Sequence, residues 1–254
     1  GIGAVYADRL ARRGYDLLLV ARNQERLEYL AKAIAQNTGR NAEILVADLI
    51  NPNDLRKVEQ RLRDDPRVTL LVNNAGIGAT APLLNSNIDD MSQMITLNVE
   101  VLTRLTYAVV PALVARDSGT IINIASIVAV APETLNGVYG GTKAFVLAFS
   151  QSLRHELKDK GVRVQVVLPG ATSTNFWNMA GLPIEHLPQA IVMSVDDMVN
   201  AALTGFDQGE FVTIPSLPDV EQWEAYERAR QSLTPNLSRT VPANRYQGEY
   251  RQAS

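Results

Sequence analysis

Short apolar runs alternate along this chain with segments of helical periodicity, and this alternation limits the possible folds most strongly. Leu17–Val20 is apolar at every position, whereas Gln24–Gln36 places its apolar residues at helical spacing. Strands that are apolar on both faces belong in parallel sheets covered by helices on both sides. With right-handed crossovers, the sequence therefore predicts an α/β fold: a Rossmann-like, doubly wound parallel sheet.

The predicted elements follow one another without a linker or an internal repeat. A helix pattern starts at the first residues, and the other predicted helices are Gln24–Gln36, Pro52–Asp64, Ile88–Arg116, Val138–Lys160, Val195–Phe206 and Asp219–Leu233. The predicted strands are Asp16–Ala21, Ala42–Ala47, Val68–Val72, Thr120–Ala125, Val162–Leu168 and Phe211–Ile214. We expect a single domain over residues 1–254, with residues 215–254 as a C-terminal helix and polar tail.

Composition excludes several classes of function. The chain has no cysteine and only two histidines, His155 and His186, so neither a disulfide nor a metal site is expected. A net charge of -3 argues against nucleic-acid binding. Because no window of 18 predominantly apolar residues and no signal peptide are evident, we expect no membrane span and a cytoplasmic location.

The first residues, Gly1-Ile2-Gly3, run directly into a helix pattern. A glycine turn at a helix N-terminus suits phosphate, because free N–H groups and the helix dipole face the anion. An ordinary flexible terminus would have the same sequence. The predicted strand Asp16–Ala21, which follows this helix, favours the phosphate-binding interpretation. In dinucleotide-binding folds, the strand after the phosphate-binding helix ends beside the adenosine ribose.

Arg22 follows this strand, where a carboxylate would favour NAD. A guanidinium can instead pair with a 2′-phosphate, so the sequence favours NADP(H) over NAD(H). The alternative is a solvated surface arginine.

Two further strand ends carry candidate cofactor contacts. Asp48 and Leu49 follow the predicted strand Ala42–Ala47, where the aspartate could accept a hydrogen bond from adenine or cap the next helix. Asn74, Ala75 and Gly76 follow the next strand, and such small residues would let a dinucleotide approach the backbone. The same residues would also suit a simple turn.

Ser126, Tyr139 and Lys143 are the candidate catalytic residues. Tyr139 and Lys143 are four positions apart and share one face of a helix. A nearby ammonium favours the phenolate and lowers the tyrosine pKa toward the range of a general acid or base. Ser126 at a strand end could hold a carbonyl oxygen beside Tyr139. A Tyr-x-x-x-Lys pair alone would more often be a half-buried tyrosine with a surface lysine.

Taken together, these motifs resemble the short-chain dehydrogenase/reductase family in its compact one-domain branch, up to about Ile214. The matching residues are Gly1-Ile2-Gly3, Asp48, Asn73-Asn74-Ala75-Gly76, Asn98, Ser126, Tyr139-Gly140-Gly141-Thr142-Lys143, Pro169-Gly170 and Thr174. The resemblance implies that Tyr139 is the acid/base, that Ser126 orients the substrate, and that Lys143 lowers the tyrosine pKa and binds the nicotinamide ribose. It implies that Asn98 supports a proton relay, although a solvent-facing Asn98 is the alternative. Pro169, Gly170, Thr172 and Thr174 would cover the nicotinamide.

The chain departs from the family pattern at its start. The first strand of the family and the Thr-Gly of its glycine motif are missing. Removing a central strand would expose unpaired backbone groups on both neighbours, so we expect that the given sequence lacks its true N-terminus.

The segment Asn175–Leu187 is unusually apolar for a loop and contains Gly181 and Pro183. We expect it to be a lid that orders over an apolar substrate, with Trp177 contacting that substrate. His155 and His186 are expected to be surface residues.

The leading functional hypothesis is an NADPH-dependent reductase of a carbonyl compound, or the reverse alcohol oxidation. The alternative is a non-catalytic NADP-binding sensor or scaffold. A third alternative is an epimerase or dehydratase of nucleotide sugars. It is disfavoured because such enzymes usually have a larger substrate domain, which we do not expect in this chain. The apolar helices Ile88–Arg116 and Val138–Lys160 predict a homodimer or homotetramer.

Overall fold

The computed structural model describes residues 1–246 and has six strands and nine α-helices within them. The strands are β1 Leu17–Ala21, β2 Ala42–Val46, β3 Leu70–Asn73, β4 Gly119–Ile124, β5 Val162–Val167 and β6 Val212–Thr213. The helices are α1 Ile2–Arg12, α2 Gln24–Thr38, α3 Pro52–Asp64, α4 Ile88–Ile95, α5 Leu102–Ala115, α6 Gly137–Leu157, α7 Phe176–Met179, α8 Val195–Asp207 and α9 Val220–Ser232. The part of the predicted tail at residues 247–254 lies outside the described residues.

The strands form two parallel sheets. β1 pairs with β2, and a four-stranded sheet has the order β3-β4-β5-β6. Within residues 1–246, β1 and β3 do not pair with each other. The predicted parallel α/β fold is therefore confirmed, although most strand boundaries differ by a residue or two from the predicted ones.

Helices cover both faces of the sheets. On one face, residues of α3, α5 and α6 pack against Ile121 of β4 and Val164 of β5. On the other face, residues of α1 and α8 pack against Ile122 and Val167. The neighbours Ile121 and Ile122 thus face opposite layers, as the alternation of side chains along a strand requires. Both faces are buried, which explains why the strands lack a polar face.

The predicted helix Ile88–Arg116 forms, but it is interrupted. A π-helical segment, Thr96–Val101, lies between α4 and α5. Such segments are rare and frequently occur at functional sites. The whole run Ile88–Ala115 is long and apolar enough to cross a membrane by length and composition, with a mean hydropathy of 1.3 in its best window. The expectation that the chain has no window of 18 predominantly apolar residues is therefore wrong. Of that window, 44% is buried inside the fold.

A glycine ends α2, and a proline begins α3. Gly39 follows α2 with a φ of 68°, a left-handed conformation that favours glycine. Pro52 occupies the first turn of α3, where its missing N–H leaves no hydrogen bond unmade.

The chain divides after Pro215 into two compact units. The first unit carries both sheets and α1–α8. In the second, α9 starts at the capping residue Asp219, and Trp223 contacts Tyr226 with ring centroids 5.3 Å apart.

Candidate active site

The carboxyl ends of the parallel strands gather the predicted site residues at one edge of the fold. Arg22 follows β1, Asp48 follows β2, and residues 74–76 follow β3. Ser126 follows β4, and Pro169 follows β5. Ligands of open α/β sheets bind beyond this edge.

Tyr139 lies in the first turn of α6 and is only 6% exposed. Burial raises the pKa of its phenol to about 12, and a hydrogen bond with the Ser126 side chain acts in the opposite direction. The Ser126 hydroxyl lies 3.4 Å from the carbonyl oxygen of Pro169. The structure thus places the two candidate hydroxyl groups together.

Lys143 lies one turn further along α6 and is also buried. Its Nζ donates a 2.9 Å hydrogen bond to the carbonyl oxygen of Ile124, the last residue of β4. Burial lowers the pKa of this ammonium to about 8. The Nζ lies 5.9 Å from the centroid of the Tyr139 ring.

The expected lowering of the tyrosine pKa by Lys143 is not found in this structure. Burial of the phenol outweighs any influence of the ammonium, and the pKa of Tyr139 is raised. Loss of hydration disfavours the charged forms of both groups, so it raises the pKa of the phenol and lowers that of the ammonium, and the two values move apart.

Asn98 is buried in the π-helical segment, so the alternative of a solvent-facing residue is wrong. Its Oδ1 accepts a 3.0 Å hydrogen bond from the N–H of Ile77, and its Nδ2 donates to the Ile77 carbonyl at 2.8 Å. The same Nδ2 donates to Thr142 Oγ1 at 3.1 Å. Asn98 therefore ties the backbone after β3 to the helix that carries Tyr139.

The glycine turn fits a phosphate group. Gly1 is the N-cap of α1, no side chain caps this helix end, and the first turn has no acidic residue. A Cβ atom on Gly3 would lie 2.7 Å from Nδ2 of Asn74, so a larger residue here would have to displace the Asn74 side chain. Ile2 begins the helix between these two glycines.

The adenosine end of the predicted cofactor site is less complete. Arg22 is exposed, and its side chain has no hydrogen bond or ion pair among residues 1–246. Asp48 accepts a hydrogen bond from the Ile50 N–H, while Asn51 caps α3. Asp48 is therefore not the cap of α3, and Leu49 points into the apolar core.

Hydrogen bonds connect the residues of the segment after β5 to one another and to the residues that follow β4. Pro169 accepts from the Ile127 N–H, and the buried Thr172 donates to the Gly170 carbonyl at 3.1 Å. Thr174 accepts from the N–H of Phe176, the first residue of α7. Pro169 thus lies beside Ser126, and the covering of the nicotinamide by this segment stays a prediction.

The prediction that Trp177 contacts substrate from a mobile lid is not supported by its surroundings. Trp177 is 8% exposed, and its indole N–H donates to the Thr172 carbonyl at 3.0 Å. A satisfied, buried indole anchors the start of the segment. Gly181 has a φ of 88°, which accounts for the glycine in this turn. His155 and His186 are exposed, as predicted.

The structure adds Gly78 and Asn136 to the site, which the sequence did not single out, and it places Phe176 of the predicted lid beside Tyr139. The rings of Phe176 and Tyr139 lie 5.7 Å apart, and a Cβ on Gly78 would come within 2.2 Å of Phe176. Asn136 caps α6 three residues before Tyr139. An asparagine just before a helix pattern is a recognisable N-cap signal, whereas the contact between Gly78 and Phe176 has no local signal.

Comparison with solved structures gives neighbours that match almost the whole chain. A short-chain dehydrogenase from Sphingobium yanoikuyae in complex with NADPH is 47% identical, with a TM-score of 0.94 over 97% of this chain and 95% of that one. A bulky-bulky ketone specific alcohol dehydrogenase from Comamonas testosteroni is 42% identical, with a TM-score of 0.89 over 97% and 94%.

Curated relatives match a shorter region. The very-long-chain 3-oxoacyl-CoA reductase-B of Danio rerio is 36% identical over 178 residues, which is 68% of this chain. The human 17-beta-hydroxysteroid dehydrogenase type 3 is 35% identical over the same length. The match spans 57% and 56% of these relatives' own lengths. The short chain dehydrogenase family matches residues 1–182, and the chain belongs to this family of oxidoreductases.

Proposed function

We propose that this protein transfers a hydride between NADP(H) and a bulky, apolar ketone or the corresponding secondary alcohol. The observation that carries the proposal is the hydrogen-bonded pair of Ser126 and Tyr139, together with the buried Lys143, whose Nζ lies 5.9 Å from the centroid of the Tyr139 ring. A protein that only bound a dinucleotide would not need two hydroxyl groups and a buried ammonium at the end of β4.

Tyr139 acts as the proton donor in ketone reduction. When bound, the nicotinamide supplies the hydride that forms the new C–H bond at the carbonyl carbon. Because the pKa of Tyr139 is raised to about 12, the phenol stays protonated at neutral pH and can protonate the carbonyl oxygen. The Ser126 hydroxyl holds that oxygen beside the phenol. In alcohol oxidation the proton moves in the opposite direction.

Lys143 and Asn98 keep this geometry. The Lys143 Nζ is held at 2.9 Å from the Ile124 carbonyl, which leaves its other N–H groups free for a ribose and for a relay. Both Nδ2 hydrogens of Asn98 are used by Ile77 and Thr142. We therefore assign the Asn98 side chain to holding the segment that follows β3, and leave any relay to its backbone.

The residues present fit NADP(H). The uncapped N-terminus of α1 offers its amide groups to a pyrophosphate, and Arg22 has a free guanidinium where a 2′-phosphate would lie. The Sphingobium yanoikuyae neighbour was solved with NADPH, which supports this assignment.

The surroundings of Tyr139 favour a large apolar substrate. Met91, Met94 and Val128 form an apolar cluster with Tyr139, and Phe176 packs against it. The side chains of Met91, Met94, Val128 and Phe176 carry neither a charge nor a hydrogen-bond donor for a sugar or a carboxylate. The Comamonas testosteroni neighbour is titled as specific for bulky-bulky ketones, which supports the same substrate class.

A substrate panel tests the proposal. Three classes of ketone are offered with NADPH and with NADH: those with two small substituents, those with one small and one bulky substituent, and those with two bulky substituents. Oxidation of the cofactor is followed. We expect turnover of the ketones with bulky apolar substituents with NADPH, and its loss in Tyr139→Phe. Binding of NADPH without turnover of any ketone or aldehyde would support the sensor or scaffold alternative instead.

A further inference from the structure

The segment after β3, residues 77–86, contacts the active site at three points. Ile77 is held by the Asn98 side chain through two hydrogen bonds. The N–H and the hydroxyl of Thr80 both donate to the carbonyl oxygen of Ala180, just after α7, at 3.1 and 2.9 Å. The third contact is made by Asn136, whose side chain hydrogen-bonds both this loop and the first turn of α6, which carries Tyr139.

Asn136 uses the two ends of its amide for two separate tasks. Its Oδ1 accepts hydrogen bonds from the N–H groups of Val138 and Tyr139, at 2.9 and 3.3 Å, and so caps α6. Its Nδ2 donates to the carbonyl oxygen of Ala81 at 2.6 Å and to Ser86 Oγ at 3.1 Å. The side chain is buried, and its donor and acceptor atoms are both used.

This arrangement joins the Tyr139 backbone to the 77–86 loop through a single rigid amide. An ordinary N-cap would need only the Oδ1 contacts, which a serine could also make. The Nδ2 contacts add nothing to the helix end, but they fix where the loop lies relative to Tyr139. The same loop includes Gly78, against which the Phe176 ring packs. A displaced loop would therefore move both the phenol and the apolar wall beside it.

We propose that Asn136 is a positioning residue, which sets the place of the Tyr139 phenol by binding the 77–86 loop with its amide N–H groups. The inference rests on the proposed function for its effect on rate, but the physical link between loop and helix is independent of it. Misplacement of a catalytic group by about 1 Å can reduce the rate by about a hundredfold.

Two variants separate capping from positioning. Asn136→Ala removes both sets of hydrogen bonds, whereas Asn136→Ser keeps an oxygen that can cap the helix and loses the donor to Ala81. Asn51 provides the matched control, because it caps α3 through its Oδ1 and the N–H groups of Asn53 and Asp54. Asn51→Ala and Asn51→Ser repeat the same changes at a helix that carries no catalytic residue.

We expect Asn136→Ser to regain most of the thermal stability lost in Asn136→Ala, yet to keep a kcat about tenfold or more below the wild type with an unchanged Kd for NADPH. In the Asn51 pair, only stability should change. A wild-type kcat in Asn136→Ser would overturn the proposal, as would an equal loss of kcat in Asn51→Ala.

Hydrogen–deuterium exchange tests the link without any turnover. In Asn136→Ser the amides of residues 77–86 should exchange at least tenfold faster, and in Asn51→Ser they should not change. Unchanged exchange in Asn136→Ser would refute the link itself. If the wild type reduced no ketone, the proposed function would fail, while faster exchange would still establish Asn136 as the connection between loop and helix.

Discussion

The Lys143 ammonium donates a 2.9 Å hydrogen bond to the carbonyl oxygen of Ile124, so the carboxyl end of β4 holds a buried cation. One backbone carbonyl replaces only part of the hydration that this group has in water. The cost of burying the charge appears as a lowered pKa of about 8.

This burial predicts a dependence of stability on pH. An unfolded lysine has a pKa of about 10.4, so between about pH 8 and pH 10 the unfolded chain binds more protons than the folded one. The free energy of unfolding should therefore gain a contribution as pH rises through this window. In Lys143→Met that contribution should disappear.

Urea unfolding at pH 7.5, 8.5 and 9.5 measures the effect. Lys158→Met, at an exposed position of the chain, is the control and should keep the slope of the wild type. Identical slopes in Lys143→Met and the wild type would show that Lys143 is hydrated in solution.

Replacement of Tyr139 by Phe should abolish the chemistry but keep the fold. The ring and its contact with Phe176 remain, whereas the proton donor is lost. We expect kcat to fall by about 10²–10⁴-fold, with little change in the Kd for NADPH measured by fluorescence titration. Turnover near that of the wild type would remove Tyr139 from its assigned role.

The raised pKa of Tyr139 predicts different pH profiles for the two directions of reaction. Ketone reduction uses the protonated phenol, so its rate should not fall between pH 6 and pH 9 through loss of the phenol proton. Alcohol oxidation needs the phenolate and should increase throughout this range, since the pKa lies at about 12. Initial rates at saturating cofactor decide the point, and a plateau in oxidation below pH 8 would contradict it.

Arg22 should determine the choice of cofactor. Loss of a charge-assisted contact to a 2′-phosphate costs about 1.5–3 kcal/mol, so Arg22→Ala should raise the KM for NADPH between about tenfold and a hundredfold. The KM for NADH should change little. Arg26→Ala, an exposed position in α2, is the control. A wild-type enzyme that works better with NADH would make this assignment wrong.

Gly78 should control the fit of bulky substrates. A Cβ at this position would lie 2.2 Å from Phe176, so Gly78→Ala has to displace the ring beside Tyr139. We expect Gly78→Ala to change the ratio of kcat/KM for bulky ketones to kcat/KM for small ketones. In the double variant Gly78→Ala with Phe176→Ala, this ratio should return toward that of the wild type. Gly137→Ala, where no atom lies within 4 Å of the new Cβ, should leave the ratio unchanged.

The sequence predicted those features that leave a local pattern. Burial on both faces makes the strands mostly apolar, so the parallel sheet and the order of its elements could be predicted from the sequence. Tyr139 and Lys143 share a helix face at fixed spacing, and their proximity followed from the helix alone. Ser126 could be placed because parallel strands end at the same edge of a sheet.

Other features depend on tertiary contacts. Trp177 looked like part of a mobile lid because its sequence neighbours are apolar, but a single hydrogen bond to Thr172 makes it an anchor. Burial of the Tyr139 phenol raised a pKa that the sequence predicted to be lowered, since desolvation depends on the whole surroundings. The sequence of the π-helical segment shows no pattern of apolar residues that would distinguish it from the α-helices on either side.

That segment has a consequence for insertions and deletions. A π-turn contains one residue more than the α-turn it replaces, and each α-helical residue accounts for a rotation of about 100°. Deletion of the exposed Glu100 would let the run from Ile88 to Ala115 continue as a plain α-helix, and α4 would turn by that angle relative to α5. The Asn98 side chain would then lose its hydrogen bonds to the backbone of Ile77. The extra residue thus acts as a rotational spacer, which allows one face of the helix to serve the core and another to serve the active site.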